Sequence, residues 1–257
     1  MPDNPAGEAN DTAWDEQRLA DPHGAPDKAR RVEAMFAAIA HRYDLNNRVH
    51  SLGRDQAWRR TAVRMAELKG GEVVADVACG TGDLAMAFAD AGAGRVLGLD
   101  FTQNMLDYAE DKKRDRPISY RRADAMDLPL EDASVDVVSI AFGIRNVTDP
   151  DRALREFHRV LKPGGRLIVL EFCEPRNPLI RLGNAIYCKR IMPITATLIA
   201  GDRSGAYRYL PRSVEQFLDR EALARAMEAA GFDEVTTRPV TFGIAAVHRG
   251  VKRAASL

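Results

Sequence analysis

The strongest constraint on the fold is an alternation of short β-rich runs with helical patterns through the middle of the chain. Five runs rich in apolar and β-branched residues are separated by segments whose apolar residues recur at helical spacing. The runs are Val73–Val77, Arg95–Asp100, Ile118–Arg122, Val135–Phe142 and Arg166–Phe172. Strands that alternate with helices form parallel βαβ units, whose sheet is covered on both faces. The alternation predicts an α/β protein with an open, mostly parallel sheet.

The chain closes with a different pattern. After a helical segment, Glu221–Ala230, two β-rich runs follow with almost no residues between them, Glu234–Val240 and Phe242–His248. A connection this short cannot carry a crossover helix, so the two strands are expected to pair antiparallel. Together with the five earlier strands they predict a seven-stranded sheet that ends in an antiparallel hairpin.

The remaining segments differ in charge. Residues 1–27 hold seven acidic side chains against one arginine, which predicts a disordered acidic tail. Residues 28–70 are basic and show helical spacing, and they are the expected N-terminal helical lid of a domain that spans residues 28–250. A basic insertion around an apolar run is expected at residues 176–212, and residues 251–257 form a C-terminal tail.

Charge and cysteine content exclude several classes of protein. The 257 residues carry 37 Lys and Arg against 37 Asp and Glu, so a dedicated nucleic-acid binder is not expected. Three widely spaced cysteines form neither a disulfide framework nor a metal cluster, and no metal is expected. The longest candidate apolar run, residues 191–200, is half of the roughly 20 residues that a membrane span needs. A cytoplasmic protein is predicted.

A glycine-rich turn follows the first strand. Gly80 and Gly82 lack Cβ atoms where the chain must turn tightly, and the helix that starts near Asp83 points its N–H groups at a bound ligand. Asp100 ends the second strand 20 residues after Gly80, where a carboxylate can accept both hydroxyls of a ribose. The run Gly80-Thr-Gly82-Asp-Leu-Ala85 also fits the dinucleotide fingerprint, so this loop alone leaves NAD and S-adenosylmethionine open.

Three further features favour S-adenosylmethionine. Asp76 lies inside the first strand, and Asp124 and Ala125 follow the third strand, where they would meet an adenine edge. The third feature is the antiparallel hairpin at the end of the sheet. Together these features resemble the class I S-adenosylmethionine-dependent methyltransferase fold, which is a Rossmann-like α/β sheet.

The segment after the fourth strand makes the resemblance narrower. Ile140–Asp149 reads Ile-Ala-Phe-Gly-Ile-Arg-Asn-Val-Thr-Asp, and with Arg152–Phe172 it closely resembles the ubiquinone/menaquinone biosynthesis C-methyltransferase family. Three other segments resemble the same family: Phe36–Asn46, Tyr209–Ser213 and Gly243–Gly250. The resemblance covers roughly residues 28–250.

This resemblance implies an enzyme that methylates a ring carbon of a prenylated quinol with S-adenosylmethionine. The substrate would be demethylmenaquinol or the equivalent ubiquinone precursor. The resemblance assigns cofactor contacts to Thr81, Asp100, Asp124 and Ala125. Many members of the family have serine where this chain has Ala141, so a hydroxyl contact is missing at that position.

The expected chemistry needs no metal and no covalent nucleophile, because a sulfonium already activates the methyl group and a deprotonated quinol ring is electron-rich. Arg145 and Asn146 follow the fourth strand at the ligand-binding edge of the sheet, and they are the predicted catalytic residues that hold a phenolate or a water. Tyr43, from the N-terminal helices, is a third candidate. A solvated turn is the alternative role for Arg145 and Asn146, and core packing is the alternative for Tyr43.

The prenyl tail of such a substrate is insoluble in water. The resemblance therefore implies that the enzyme binds its substrate at the inner face of the cytoplasmic membrane. Residues 176–212 hold seven Lys and Arg with Asp202 as their only acid. They fit either a peripheral membrane contact with anionic lipid or a cap over the active site with a solvated basic rim. An NAD-linked oxidoreductase and a non-catalytic lipid-binding assembly subunit remain as alternative functions. The choice between monomer and homodimer also stays open.

Overall fold

Seven strands form one sheet in the computed structural model, which describes residues 14–200 and 205–253. The strands are β1 (Val73–Val77), β2 (Arg95–Asp100), β3 (Ile118–Arg122), β4 (Val135–Ala141), β5 (Leu161–Phe172), β6 (Phe232–Val240) and β7 (Ala245–Lys252). Their order is β3-β2-β1-β4-β5-β7-β6, and β7 runs antiparallel to both of its neighbours while the other pairs are parallel. The predicted α/β class and the closing hairpin are confirmed.

Helices flank this sheet and precede it. They are α1 (Glu16–Leu19), α2 (Lys28–Ile39), α3 (Tyr43–His50), α4 (Arg54–Ala66), α5 (Asp83–Asp90), α6 (Gln103–Lys112), α7 (Pro150–Val160), α8 (Pro178–Ile186), α9 (Met192–Ala200), α10 (Ala206–Glu215) and α11 (Arg220–Ala229). Asp149 caps α7 by accepting from the Arg152 N–H, and Pro150 occupies the first turn, as the sequence suggests. Among the helices of the described ranges, none has both the length and the apolar character of a bilayer-spanning segment.

Four strands differ from their predicted bounds. β5 begins at Leu161 rather than Arg166, because Leu161 already pairs with Val135 of β4 and the register with β4 shifts before Arg166. β4 ends at Ala141 rather than Phe142, and β6 begins at Phe232 rather than Glu234. β7 begins at Ala245, because Thr241–Gly243 form a short turn, and it continues to Lys252, beyond the domain end expected at residue 250. Residues 254–257 of the expected C-terminal tail lie outside the described residues.

The sheet divides the core into two apolar clusters. Successive residues of a strand point to opposite faces, so Ala75 and Val77 of β1 enter one cluster while Val74 enters the other. Phe157 of α7 packs on the first face, and Trp58 of α4 packs on the second. Helix α4 is therefore part of the core, and only α2 and α3 of the predicted lid segment remain to cover the carboxyl edge of the sheet.

The prediction of a disordered tail over residues 1–27 is wrong for residues 14–27. Trp14 is 0% exposed and stacks on Tyr209 of α10, with ring centroids 4.3 Å apart. Leu19 is also buried, in a third apolar cluster that includes Met35 of α2 and Met192 of α9. A few apolar anchors thus order an otherwise acidic segment. Residues 1–13 lie outside the described residues.

Candidate active site

The first cavity lies where the parallel strands of the sheet end. Its lining comes from the loops after four strands and from helices α2 and α3. The lining residues include Val32, Phe36, Tyr43, Gly80, Asp100, Thr102, Asp124, Ala125, Ala141, Phe142 and Asn146. The carboxyl edge of an open α/β sheet is the usual place for a ligand. The cavity therefore collects polar groups from several strands at one point.

The glycine turn after β1 shapes one wall of this cavity. Gly80 has a φ of 54°, and a Cβ built there would meet nothing closer than the Tyr43 ring at 3.9 Å. This position leaves room for a ligand to approach the backbone. Gly82 plays a different part, because a Cβ there would lie 2.2 Å from the Tyr120 hydroxyl. The second glycine serves the packing of β3 rather than ligand access.

Asp100 is held firmly at the end of β2. One carboxylate oxygen accepts the Gly80 N–H at 2.8 Å, and the other accepts the Thr102 N–H at 2.8 Å. Burial raises the pKa of this carboxyl, and the two backbone donors oppose the shift. Each oxygen keeps a further lone pair for the cavity that Asp100 lines. The two carboxylate oxygens of Asp100 are therefore oriented to accept from two neighbouring hydroxyls of a ligand.

Asp124 and Ala125 line the same cavity from the loop after β3. The Asp124 carboxylate accepts the Met126 N–H at 2.9 Å, which fixes this loop against the cavity. Ala141 is also part of the lining. Its methyl group offers no hydrogen bond where a serine would.

Three predicted cofactor residues are not among those that line this cavity. Asp76 is buried in the sheet, where it accepts from the Ser139 hydroxyl at 2.7 Å, and burial raises its pKa to about 7. The Thr81 hydroxyl donates to Asp44 of α3 at 2.5 Å. Gly82 faces Tyr120. The Asp76 side chain thus ties β1 to β4, and the Thr81 side chain ties the glycine turn to α3. Sequence spacing alone could not separate these structural roles from ligand contact.

A second, larger cavity of about 680 Å³ adjoins the first. Phe36, Tyr43 and Phe142 line both. Trp58 and Phe172 complete an aromatic wall with Phe142, whose ring centroid lies 4.4 Å from that of Phe172. The opposite wall comes from α8 and the π-turn Tyr187–Ile191. A flat ring and a long apolar chain both fit this lining.

Arg145 lies on the second cavity and is 4% exposed. Its Nη1 donates to Glu171 Oε1 at 2.7 Å and to the Phe142 carbonyl at 2.7 Å, and its guanidinium lies 5.4 Å from the Phe172 ring centroid. Burial raises the pKa of Glu171, and the nearby Arg145 charge counteracts that shift. The alternative of a solvated turn is wrong for Arg145.

Asn146 lines the first cavity, and Tyr43 lines both cavities. The Asn146 amide donates to the Phe142 carbonyl at 3.2 Å and accepts from the Tyr209 hydroxyl at 3.0 Å. Tyr43 packs edge-on against Phe36 and lines both cavities, so core packing is not its only role. The structure therefore brings the three predicted catalytic residues together.

Several residues of this site were not predicted. Glu171 lies one residue before the end of β5 and pairs with Arg145, and an acid in such an apolar strand is a signal of an ion pair. Asp55 and Arg59 of α4 form a second buried pair at 3.0 Å on the same cavity. Their spacing of four along a helix is the same as that of an ordinary surface pair, so no sequence pattern indicates that this pair is buried.

Comparison with known proteins places this geometry in a family. The sequence model of the ubiE/COQ5 methyltransferase family matches residues 25–252. A demethylmenaquinone methyltransferase from Thermus thermophilus is 48% identical over 219 residues, covering 84% of this chain and 99% of that protein. A ubiquinone/menaquinone biosynthesis C-methyltransferase UbiE from Pseudomonas entomophila is 43% identical over 231 residues, covering 88% of this chain and 90% of that protein.

Solved structures agree on the fold. A S-adenosylmethionine-dependent methyltransferase from Thermotoga maritima has a TM-score of 0.61 at 23% identity, covering 85% of this chain and 99% of that one. A second one, from Aquifex aeolicus, has a TM-score of 0.59 at 18% identity, covering 81% of this chain and 97% of that one. The sequence of the glycine turn fits both NAD and S-adenosylmethionine. The family match favours S-adenosylmethionine, and with it methyl transfer over NAD-linked oxidation. The chain belongs to the ubiE/COQ5 methyltransferase family and is a methyltransferase with the S-adenosylmethionine-dependent fold.

Proposed function

We propose that this methyltransferase moves a methyl group from S-adenosylmethionine to a ring carbon of a prenylated quinol in menaquinone or ubiquinone biosynthesis. The observation that carries the proposal is that Phe36, Tyr43 and Phe142 line both the first cavity, at the sheet edge, and the larger aromatic cavity. A methyl donor in the first and a ring in the second would meet at these residues. Such positioning is a large part of catalysis for a reaction between two bound molecules.

The first cavity has groups that fit the methyl donor. Asp100 would accept the ribose hydroxyls, Asp124 and Ala125 would lie beside the adenine, and Gly80 would let the chain backbone approach. S-adenosylmethionine supplies a methyl group that a positively charged sulfur has already activated. Thr81 would contact the methyl donor through its backbone, because its hydroxyl donates to Asp44.

Replacing Asp100 by Ala should weaken S-adenosylmethionine binding at least tenfold. A hydrogen bond to a charged acceptor contributes ~1.5–3 kcal/mol, and two such bonds to the ribose would be lost. Calorimetric titration measures the change, and a thermal melt checks that the protein is folded. Asp107→Ala, which removes an exposed carboxylate of α6, is the matched control. Unchanged affinity in Asp100→Ala would remove Asp100 from the ribose site.

The second cavity has groups that fit the acceptor. The quinol ring would lie along Phe142 and Phe172, with the prenyl tail on the apolar wall from α8. A ring oxygen that loses its proton makes the neighbouring carbon nucleophilic. Arg145 would stabilise that oxygen as a phenolate, and Asn146 and Tyr43 would hold it or a water that takes its proton. The low polarity of this cavity strengthens the charge interaction.

The two curated relatives differ in the quinone that their names state, because one name states demethylmenaquinone and the other names both ubiquinone and menaquinone biosynthesis. Demethylmenaquinol is our leading substrate. Quinone extracts from cells that lack this protein test the choice. Accumulated demethylmenaquinone supports it, an accumulated demethyl ubiquinone precursor moves the substrate to the ubiquinone branch, and a normal quinone profile contradicts the proposed function.

We also propose that the outer face of α8 and α9 contacts a membrane surface, where a prenylated substrate resides. One face of α8 lines the second cavity, whereas five large apolar side chains of α8 and α9 point outward. They are Leu179, Leu182, Ile186, Ile194 and Leu198, of which Leu179 is 81% and Leu198 is 78% exposed. Arg181 and Arg190 are exposed on the same segment and complement anionic lipid, whereas Lys189 pairs with Glu215. The tail of the substrate could then enter the cavity beside α8.

Replacing Leu179 and Leu198 together by Glu should weaken binding to anionic phospholipid vesicles more than tenfold. Each leucine that leaves water contributes ~1.5–3 kcal/mol, and the new charges add repulsion. Co-sedimentation with vesicles measures binding. Turnover of a soluble short-chain quinol should stay unchanged, because neither side chain lines a cavity. The matched control is Tyr108→Glu on α6, an exposed aromatic residue outside this segment. Wild-type vesicle binding in the double variant would contradict a membrane contact through this face.

A further inference from the structure

Lys28 is an unusual buried cation at the first turn of α2. It is 2% exposed, and its Nζ donates to the Arg145 carbonyl at 3.0 Å and to the Val147 carbonyl at 2.7 Å. Burial lowers the pKa of Lys28 to about 8. Asp21 is the acid whose charge favours the ammonium, yet no ion pair of Lys28 occurs among the described residues. A lysine is seldom buried unless its ammonium is needed where it lies.

The two carbonyls belong to the turn that carries the predicted catalytic residues. Residues Ile144–Asn146 form a single 3₁₀ turn, in which the Asn146 N–H donates to the Gly143 carbonyl at 2.9 Å and the Val147 N–H donates to the Ile144 carbonyl at 3.2 Å. The last carbonyls of a short helix lack partners within it. Lys28, from another element of the fold, donates to the Arg145 carbonyl within this turn and to the Val147 carbonyl directly after it.

His23 completes this arrangement. Its Nε2 lies 2.9 Å from the Ser213 carbonyl, which can only accept, so Nε2 carries the proton and Nδ1 accepts from Lys28 at 3.2 Å. Ser213 Oγ accepts in turn from Arg145 Nε at 3.3 Å. Burial lowers the pKa of His23, and the nearby charges of Lys28 and Arg145 act in the same direction, which keeps the ring neutral. Lys28, His23, Ser213 and Arg145 therefore form a closed set of contacts.

We propose that Lys28 is a positioning residue for methyl transfer, because its ammonium fixes the backbone of residues 145–147 and thereby the side chains of Arg145 on the second cavity and Asn146 on the first. This inference rests on the proposed function. Lys28 itself does not line either cavity. It acts through the turn, where a displacement of about 1 Å can lower a rate by about 10²-fold.

The test compares Lys28→Met and Lys28→Gln with a matched control, Lys252→Met. Lys252 also donates to backbone carbonyls, to that of His158 at 2.7 Å and that of Leu161 at 2.8 Å, and it too lies outside both cavity linings. Lys28→Met should lower kcat at least tenfold while the Kd of S-adenosylmethionine and the KM of a short-chain quinol stay within about twofold. Lys28→Gln, which keeps an amide donor, should recover part of kcat. Lys252→Met should affect stability alone.

Amide hydrogen exchange supplies a readout that does not depend on activity. Exchange in residues 143–148 should rise in Lys28→Met and stay at the wild-type level in Lys252→Met. If Lys28→Met does not fold, Lys28→Gln takes its place, with an intermediate kcat expected. Wild-type kcat together with wild-type exchange in a folded Lys28 variant overturns the inference. If the wild-type protein methylates no quinol, the proposed function fails separately, and exchange in residues 143–148 still decides whether Lys28 fixes the turn.

Discussion

Arg145→Met should lower turnover by roughly 10²-fold or more while S-adenosylmethionine binds nearly as well as to the wild type. The loss corresponds to the removal of one preorganised electrostatic donor from a site with little water. Arg145 lines the second cavity and is not among the residues that line the first, so the cofactor should be little affected. Arg145→Lys should recover only part of the turnover, because the single nitrogen of an ammonium cannot reproduce a guanidinium that bonds Glu171 and the Phe142 carbonyl through Nη1 and Ser213 through Nε.

A stability effect must be separated from this chemical effect. Removing Arg145 leaves the Glu171 carboxylate buried without its partner, and breaking a buried pair costs ~3–5 kcal/mol. The double variant Arg145→Met with Glu171→Gln removes both charges, so thermal stability should return toward the wild type while turnover stays low. Steady-state kinetics with a short-chain quinol in detergent and a thermal melt measure the two quantities. Wild-type turnover in either variant would remove Arg145 from the reaction.

Trp14→Ala should destabilise the protein by ~3–5 kcal/mol, which is the usual cost of truncating a fully buried aromatic side chain. The melting temperature should fall by roughly 10 °C for a chain of this size. Trp14 stacks on Tyr209, whose hydroxyl bonds Asn146, so turnover should fall as well at temperatures where the protein remains folded.

Trp14→Phe is the matched control, because it keeps an aromatic ring against Tyr209 and removes the smaller ring of the indole, whose N–H has no hydrogen-bond partner among the described residues. It should lose less than half of the stability that Trp14→Ala loses. Equal melting temperatures for Trp14→Ala and the wild type would restore the view that this segment contributes nothing to the fold.

The sequence predicts the sheet well because its signals are local. The runs that became β1, β2 and β3 have the predicted bounds, since alternation and the bounding turn residues act within a few positions. Asp100 reaches the predicted cavity for a similar reason, because the end of a parallel strand next to a glycine turn fixes its place.

The parts that the sequence could not predict depend on distant contacts. The acidic composition of residues 1–27 predicts disorder because it does not register the single residue Trp14. The buried ring of Trp14 is enough to order the neighbouring chain. Thr81 carries a hydroxyl that suits a ligand, yet Asp44 from α3 accepts it. Lys28 begins a basic helix in the sequence, and only the fold brings it under the turn at Arg145. In each case the deciding partner lies far away along the chain.

The most direct test of the account is methyl transfer with the purified protein. The protein is mixed with methyl-labelled S-adenosylmethionine and a short-chain demethylmenaquinol in detergent under reducing conditions, and the product is analysed by mass spectrometry and NMR. We expect one labelled methyl group on a ring carbon, with an equal amount of S-adenosylhomocysteine and far less product from Arg145→Met. No label on the quinol, or a label on a ring oxygen instead of a ring carbon, would contradict this expectation.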